Sequence, residues 1–239
     1  MAINQSRKQI YKILILIFPL IMLASFILLK VKLPEAYRYI IREDSYIEYA
    51  QFLFFFLSGL LSLVISINFL RTEQRLLGLL YLVLALGFLF VAFEEISWGQ
   101  RLFNLQAKGY FEERNLQKEY TLHNLNGLTP LHGALCQIIG FYGTFMWLLL
   151  PKGIKAISTV RFLIPDWYLA FYFLPSLFRP SYYKYYRSLQ DVGFAVWRQQ
   201  EPIEFLLALG LFLFIAIGKY RQSNMVPDKN PSFARTPSV

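Results

Sequence analysis

Cysteine is nearly missing from this 239-residue chain. Cys136 stands alone, which rules out an intrachain disulfide framework or a paired-cysteine zinc site. Charge is scarce as well: 16% of the residues are Asp, Glu, Lys or Arg, where a soluble domain carries about a quarter. With 56% hydrophobic residues and a mean hydropathy of +0.41, disorder and most soluble classes are excluded. Histidine is limited to His123 and His132. No HExxH, ExxH, HxxxH or GxSxG pattern is present, so the usual local signatures of metal hydrolysis and serine hydrolysis are absent.

What the chain has in quantity is long apolar runs. A hydrocarbon core of about 30 Å needs roughly 20 apolar residues per crossing, and six segments approach that: 13–29, 49–70, 76–93, 131–150, 162–178 and 205–218. The expected fold is therefore all-α, a polytopic transmembrane helical bundle of about six spans. Residues 1–220 form the six-helix domain and 221–239, polar and Pro-containing, a disordered cytoplasmic tail. The fifth run is interrupted by Pro165, Asp166 and Pro175, and the sixth is short unless residues 202–204 extend it. Arg7, Lys8 and Lys12 precede the first run as they would in a signal peptide. That run is longer than an ordinary signal core and lacks a small-residue cleavage site, so a retained helix is expected.

With the N-terminus inside, the cytoplasmic pieces hold twelve Lys and Arg against Glu73 and Asp228, and twelve of the fifteen acids lie outside with both histidines. Both termini are then cytoplasmic. The net charge of +9 reads as a topology signal and an attraction to anionic lipid headgroups rather than a nucleic-acid footprint. Membrane lipid is the expected partner, with a membrane-protein partner or a second copy of the chain as further candidates, and no nucleic acid. No internal repeat supports an inverted-repeat transporter.

The polar residues gather at the end of the third run, in FEEISWGQRLF (93–103). Two adjacent carboxylates at the edge of a membrane are costly unless paired, hydrated or metal-bound. If the helix continues, Glu94, Ser97, Trp98 and Arg101 share one face and Glu95 points about 100° away. Glu48, Gln51, Ser58, Ser62 and Ser66 form a stripe on the second run that suits helix contact better than lipid. Glu201 and Glu204 open the sixth run at the same depth. The plainer reading of Glu48 and Glu204 is that they complement a helix dipole, and of Glu94 and Glu95 that both face interfacial water.

Both histidines fall in the segment between the third and fourth runs. Two imidazoles with a carboxylate suit zinc or another divalent metal, with an open position for a hydroxide; His123, His132 and Glu95 are the candidate ligands. A His and Glu pair without metal could work instead as general acid and base. The catalytic candidates are Glu94, Glu95, His123, His132 and Ser97. Arg101, Gln100, Trp98, Asn124, Glu48 and Glu204 are the candidate substrate-binding residues. Two classes of function stay open: a hydrolase or transferase acting on a lipid or lipid-linked substrate at the outer leaflet, and a non-catalytic membrane subunit or assembly factor held by a polar network.

FEEISWGQRLF followed by NLQKEYTLHNL resembles the pattern EExSWGQR, NxQxE and LHN of uncharacterised multi-pass membrane proteins of bacteria. The resemblance covers residues 93–125 and marks Glu94, Glu95, Ser97, Trp98, Gly99, Gln100, Arg101, Asn115, Gln117, Glu119, His123 and Asn124. It implies a bacterial membrane protein with an important outer segment and carries no activity with it; the inner membrane is the expected location. The ceramidase-like membrane hydrolases, seven-helix enzymes with a histidine-bound zinc, are a looser analogy; this chain departs from them in having two histidines and six expected spans. Apolar positions at 111, 116, 120, 122 and 125 are compatible with a short amphipathic piece docked on the bundle. Residues 179–198, rich in Tyr with a Trp and interspersed bases, have the composition of an interfacial belt.

Overall fold

The computed structural model describes residues 2–42, 45–100, 103–115, 118–125, 128–178 and 200–225. Helices dominate, with no β-strand among the described residues apart from an isolated bridge between Asn115 and Leu125. The long ones are α1 (Ala2–Lys32), α3 (Tyr46–Leu70), α4 (Arg75–Glu95), α6 (Thr129–Leu149) and the last, α9 (Glu201–Met225); α2 (Pro34–Ile41), α5 (Tyr110–Arg114), α7 (Lys152–Ala156) and α8 (Ala170–Phe173) are short.

Four apolar helical stretches among the described residues are long and apolar enough to cross a membrane: 9–32, 34–70, which takes in α2 and α3, 75–95 and 201–225. Helix α6 has 21 residues, the length of a crossing, but His132, Gln137, Tyr142 and its glycines dilute its apolar character. Run 162–178 is not one helix. Single turns at Val160–Phe162, Trp167–Leu169 and Leu174–Phe178 flank α8. Pro165 and Pro175 explain the break, since each removes a backbone donor and crowds the preceding turn. At the C-terminus α9 runs to Met225, past the boundary expected at residue 220. The remainder of the tail and the aromatic belt at 179–198 lie outside the described residues.

Helices α3, α4 and α9 make the centre. The turn 71–74 folds α4 back against α3, and α9 packs on α3. Tyr81, Ile65, Leu169, Leu206 and Ile215 are completely or almost completely buried there. The polar stripe of α3 turns inward, for Glu48, Gln51, Ser58, Ser62 and Ser66 are all buried. Ser58 donates to the Phe54 carbonyl and Ser66 to the Gly78 carbonyl, each at 2.7 Å. These hydroxyls thus satisfy themselves on backbone oxygen, as a lipid-embedded interface requires. In α1 only 6% of the apolar window is buried, against 33–50% in the other three candidate spans, so α1 is a peripheral helix whose apolar surface is mostly open.

Candidate functional site

The site begins where α4 stops. Ser97, Trp98 and Gly99 follow with φ of 50°, 54° and 77°, a run of left-handed residues that reverses the chain. Glycine takes this conformation freely, whereas the two side-chain-bearing residues hold it at a cost of order 1–3 kcal/mol each. Specific contacts offset that strain. Ser97 Oγ donates to Glu119 Oε2 at 2.7 Å, and Trp98 Nε1 donates to Glu94 Oε1 at 2.7 Å. The Trp98 ring also stacks on Phe93, with centroids 5.6 Å apart. A helix continuing through Arg101 is thus not what forms: α4 ends at Glu95, and Ser97 leaves the shared face to meet Glu119. Arg101 and Gln117 lie outside the described residues.

Hydrogen bonds join this turn to Lys118 and Tyr120. Gln100 accepts from the Tyr120 N–H at 2.7 Å and donates to the Lys118 carbonyl at 3.3 Å. Asn115 Nδ2 donates to the Thr121 carbonyl at 2.7 Å, and Asn115 Oδ1 accepts from the Glu119 N–H at 3.2 Å. Asn115, Glu119 and Thr121 are buried. Each amide replaces a backbone partner that an irregular segment would otherwise lack.

Glu94 ties this segment to the helix. Its Oε2 accepts the Leu122 N–H at 2.7 Å and the His123 N–H at 3.2 Å, and lies 3.2 Å from His123 Nδ1. With Trp98 on Oε1, the carboxylate is buried and held from three directions. The His123 ring lies 5.5 Å from the His132 ring, centroid to centroid, and His132 Nε2 lies 3.6 Å from Cys136 Sγ. Asn124 is half-buried in the turn beside His123.

Glu95 points elsewhere. Glu204, Glu201, Glu48 and Glu94 act on it electrostatically, and the first three stand in the first turns of α9 and α3. Gln51 joins them, its Nε2 donating to Glu201 Oε2 at 3.3 Å and to the Glu201 carbonyl at 3.2 Å. The expected residues therefore divide into two groups: Glu94, Ser97, Trp98, Gln100, His123, Asn124 and His132 around the turn after α4, and Glu48, Glu95 and Glu204 at the helix ends that carry the other acids.

Among the described residues no three His, Cys, Asp or Glu side chains are placed to hold a metal ion. The physical reason is the split just described: the helix register sends Glu95 toward the other acids while the histidines stand beside Glu94. Gln100 and Trp98, expected to contact substrate, spend polar groups on Tyr120, Lys118 and Glu94. Cys136 and Glu119 escaped the list of candidates. Cys136 is four residues after His132, one helical turn on the same face, and Glu119 is the last position of the NxQxE pattern; both signals were in the sequence.

Comparison with known protein families, with curated proteins and with solved structures finds no match for the chain.

Proposed function

We propose that the chain is a multi-span inner-membrane enzyme of bacteria, a hydrolase or transferase that acts on a lipid or lipid-linked substrate at the outer leaflet, with the segment between α4 and α6 docked over the outer ends of the helices. One observation carries this reading. His123 Nδ1 lies against the buried Glu94 carboxylate while the His123 side chain keeps 30% of its exposure. A carboxylate at Nδ1 holds the ring proton there and makes Nε2 the basic nitrogen. Nε2 then removes a proton from water or a hydroxyl as its oxygen attacks an acyl or phosphoryl centre, and returns it to the departing oxygen. Glu94 orients the imidazole, and the adjacent His132, 5.5 Å away between ring centroids, passes a proton onward.

A second reading has its own support. Glu94, Gln100 and Asn115 all spend their hydrogen-bonding groups on backbone, which is what a purely structural network pinning the segment would do. The two readings separate on His123→Ala. Lipid extracts of cells making the wild-type chain are compared by mass spectrometry with extracts of cells making the variant, alongside thermal unfolding of both proteins in detergent. Under the enzymatic reading the lipid change disappears and the unfolding midpoint holds. A collapsed midpoint supports the network, and unchanged lipids with a stable variant reject catalysis by His123.

A further inference from the structure

At the opposite end of α9 the chemistry inverts. Residue 221 lies about 30 Å along the helix axis from residue 201 at the usual rise. Arg221 Nη2 donates to both Asp166 oxygens, at 2.7 and 2.6 Å, and Arg221 Nη1 donates to the Arg161 carbonyl at 2.7 Å. These bonds pin the exposed Arg161 beside α9. The two arginines, with Tyr220, Asn224 and Met225, line a groove of about 190 Å³.

The charge balance of this groove is uneven. Asp166 neutralises Arg221, whereas the Arg161 guanidinium has no partner among the described residues. Arg161, Tyr220 and Asn224 contribute hydrogen-bond donors, and the lining has no carboxylate of its own. Gln222 fixes the level, since it accepts from Asn68 Nδ2 and donates to the Ile65 carbonyl, both at 2.9 Å, at the last turns of α3. A groove at the end of membrane-crossing helices lies among headgroups. Its volume is below the roughly 300–1,000 Å³ of sites that enclose a whole drug-sized molecule and suits one phosphate with its glycerol carbons.

We propose that this groove binds the phosphate of an anionic phospholipid headgroup, with the Arg161 guanidinium as the charged donor, Asn224 and Tyr220 as neutral ones, and the acyl chains passing along the apolar surface of α9. Arginine suits the task because its planar fork donates two parallel hydrogen bonds to phosphate oxygens. The site is separate from the Glu94 and His123 cluster and independent of the reading of that cluster.

The test is lipid retention. Full-length protein is reconstituted in bilayers of phosphatidylcholine with phosphatidylglycerol, released, and its bound lipids are counted by native mass spectrometry. Wild type should retain phosphatidylglycerol over phosphatidylcholine. Arg161→Ala should lose about fivefold of that preference, near what one basic side chain contributes at an anionic surface, and Arg161→Lys should recover part of it. Both variants keep the carbonyl that accepts from Arg221, so folding is preserved. Equal preference in wild type and Arg161→Ala overturns the proposal. So does an inorganic phosphate arm in which free phosphate raises the unfolding midpoint and phosphatidylglycerol does not, which would mark a site for a soluble anion.

Discussion

Glu94 and His123 meet at 3.2 Å across 29 positions of sequence, and the same carboxylate oxygen takes the backbone N–H groups of Leu122 and His123. One side chain at the end of a helix thus sets the place of the turn that carries the imidazole. The arrangement is both a clamp and an orienting device, and substitutions separate the two roles.

Glu94→Ala removes the acceptor for two backbone N–H groups and for the Trp98 indole. A buried donor left without a partner costs roughly 1–3 kcal/mol, so the loss is expected to reach about 3 kcal/mol or more. Trp98→Phe, which leaves one carboxylate oxygen without its indole, is expected to cost about 1 kcal/mol beyond lost packing. Thermal unfolding in a single detergent orders the three proteins. Equal midpoints for Glu94→Ala and wild type would remove the clamp.

The pair between Asp166 and Arg221 is bidentate and about three-quarters buried, with 24% and 25% of the side chains exposed. Arg221 also holds the Arg161 carbonyl, a bond Asp166 does not share. Asp166 in turn accepts the Tyr168 hydroxyl at 2.9 Å, so Arg221→Gln and Asp166→Asn are each expected to destabilise by roughly 1–3 kcal/mol. The double variant should lose less than the sum of the two, since the first change already breaks the pair. Strict additivity in a double-mutant cycle contradicts this coupling.

Helix α6 is held close to α8 by a missing side chain. A Cβ on Gly143 would stand 2.1 Å from the Phe173 ring, while one on Gly87 would meet nothing within 4 Å. Gly143→Ala must therefore displace Phe173, an overpacking cost of about 1–3 kcal/mol, and Gly87→Ala should be neutral or slightly stabilising. Folded yield by size-exclusion chromatography after mild heating distinguishes them. A well-behaved Gly143→Ala would mean that α6 and α8 are not in this contact.

Lys118 is exposed and sits at φ 55°, where its Cβ is unfavourable and glycine carries no penalty. Lys118→Gly is expected to stabilise segment 103–125 by up to about 1 kcal/mol, reduced by the added freedom of the unfolded chain. Amide hydrogen exchange over residues 115–125 reads this directly. Faster exchange in the variant would count against the left-handed turn.

The membrane class and the positions of the long helices were legible in the sequence because they rest on local quantities. Apolar run length against bilayer thickness is one; the inward stripe of Ser58, Ser62 and Ser66 is a period-3.6 pattern that any helix obeys. The breaks at Pro165 and Pro175 were visible too, though not that the segment would dissolve into single turns. The pairing of distant groups was beyond local pattern. Ser97 was assigned to the face of Glu94 on the premise that the helix continued, and three left-handed residues send it to Glu119 instead. Glu94 and Glu95 are neighbours in sequence, yet one binds the turn of His123 while the other feels chiefly the charges of Glu204, Glu201 and Glu48. Adjacent helical residues diverge by about 100°, and only the packing of α3, α4 and α9 decides what each direction meets. The sequence by itself therefore determined the apolar surroundings and the long helices α1, α3, α4, α6 and α9; tertiary structure decided which carboxylate met the histidine, because that choice depends on groups brought together from far apart in the chain.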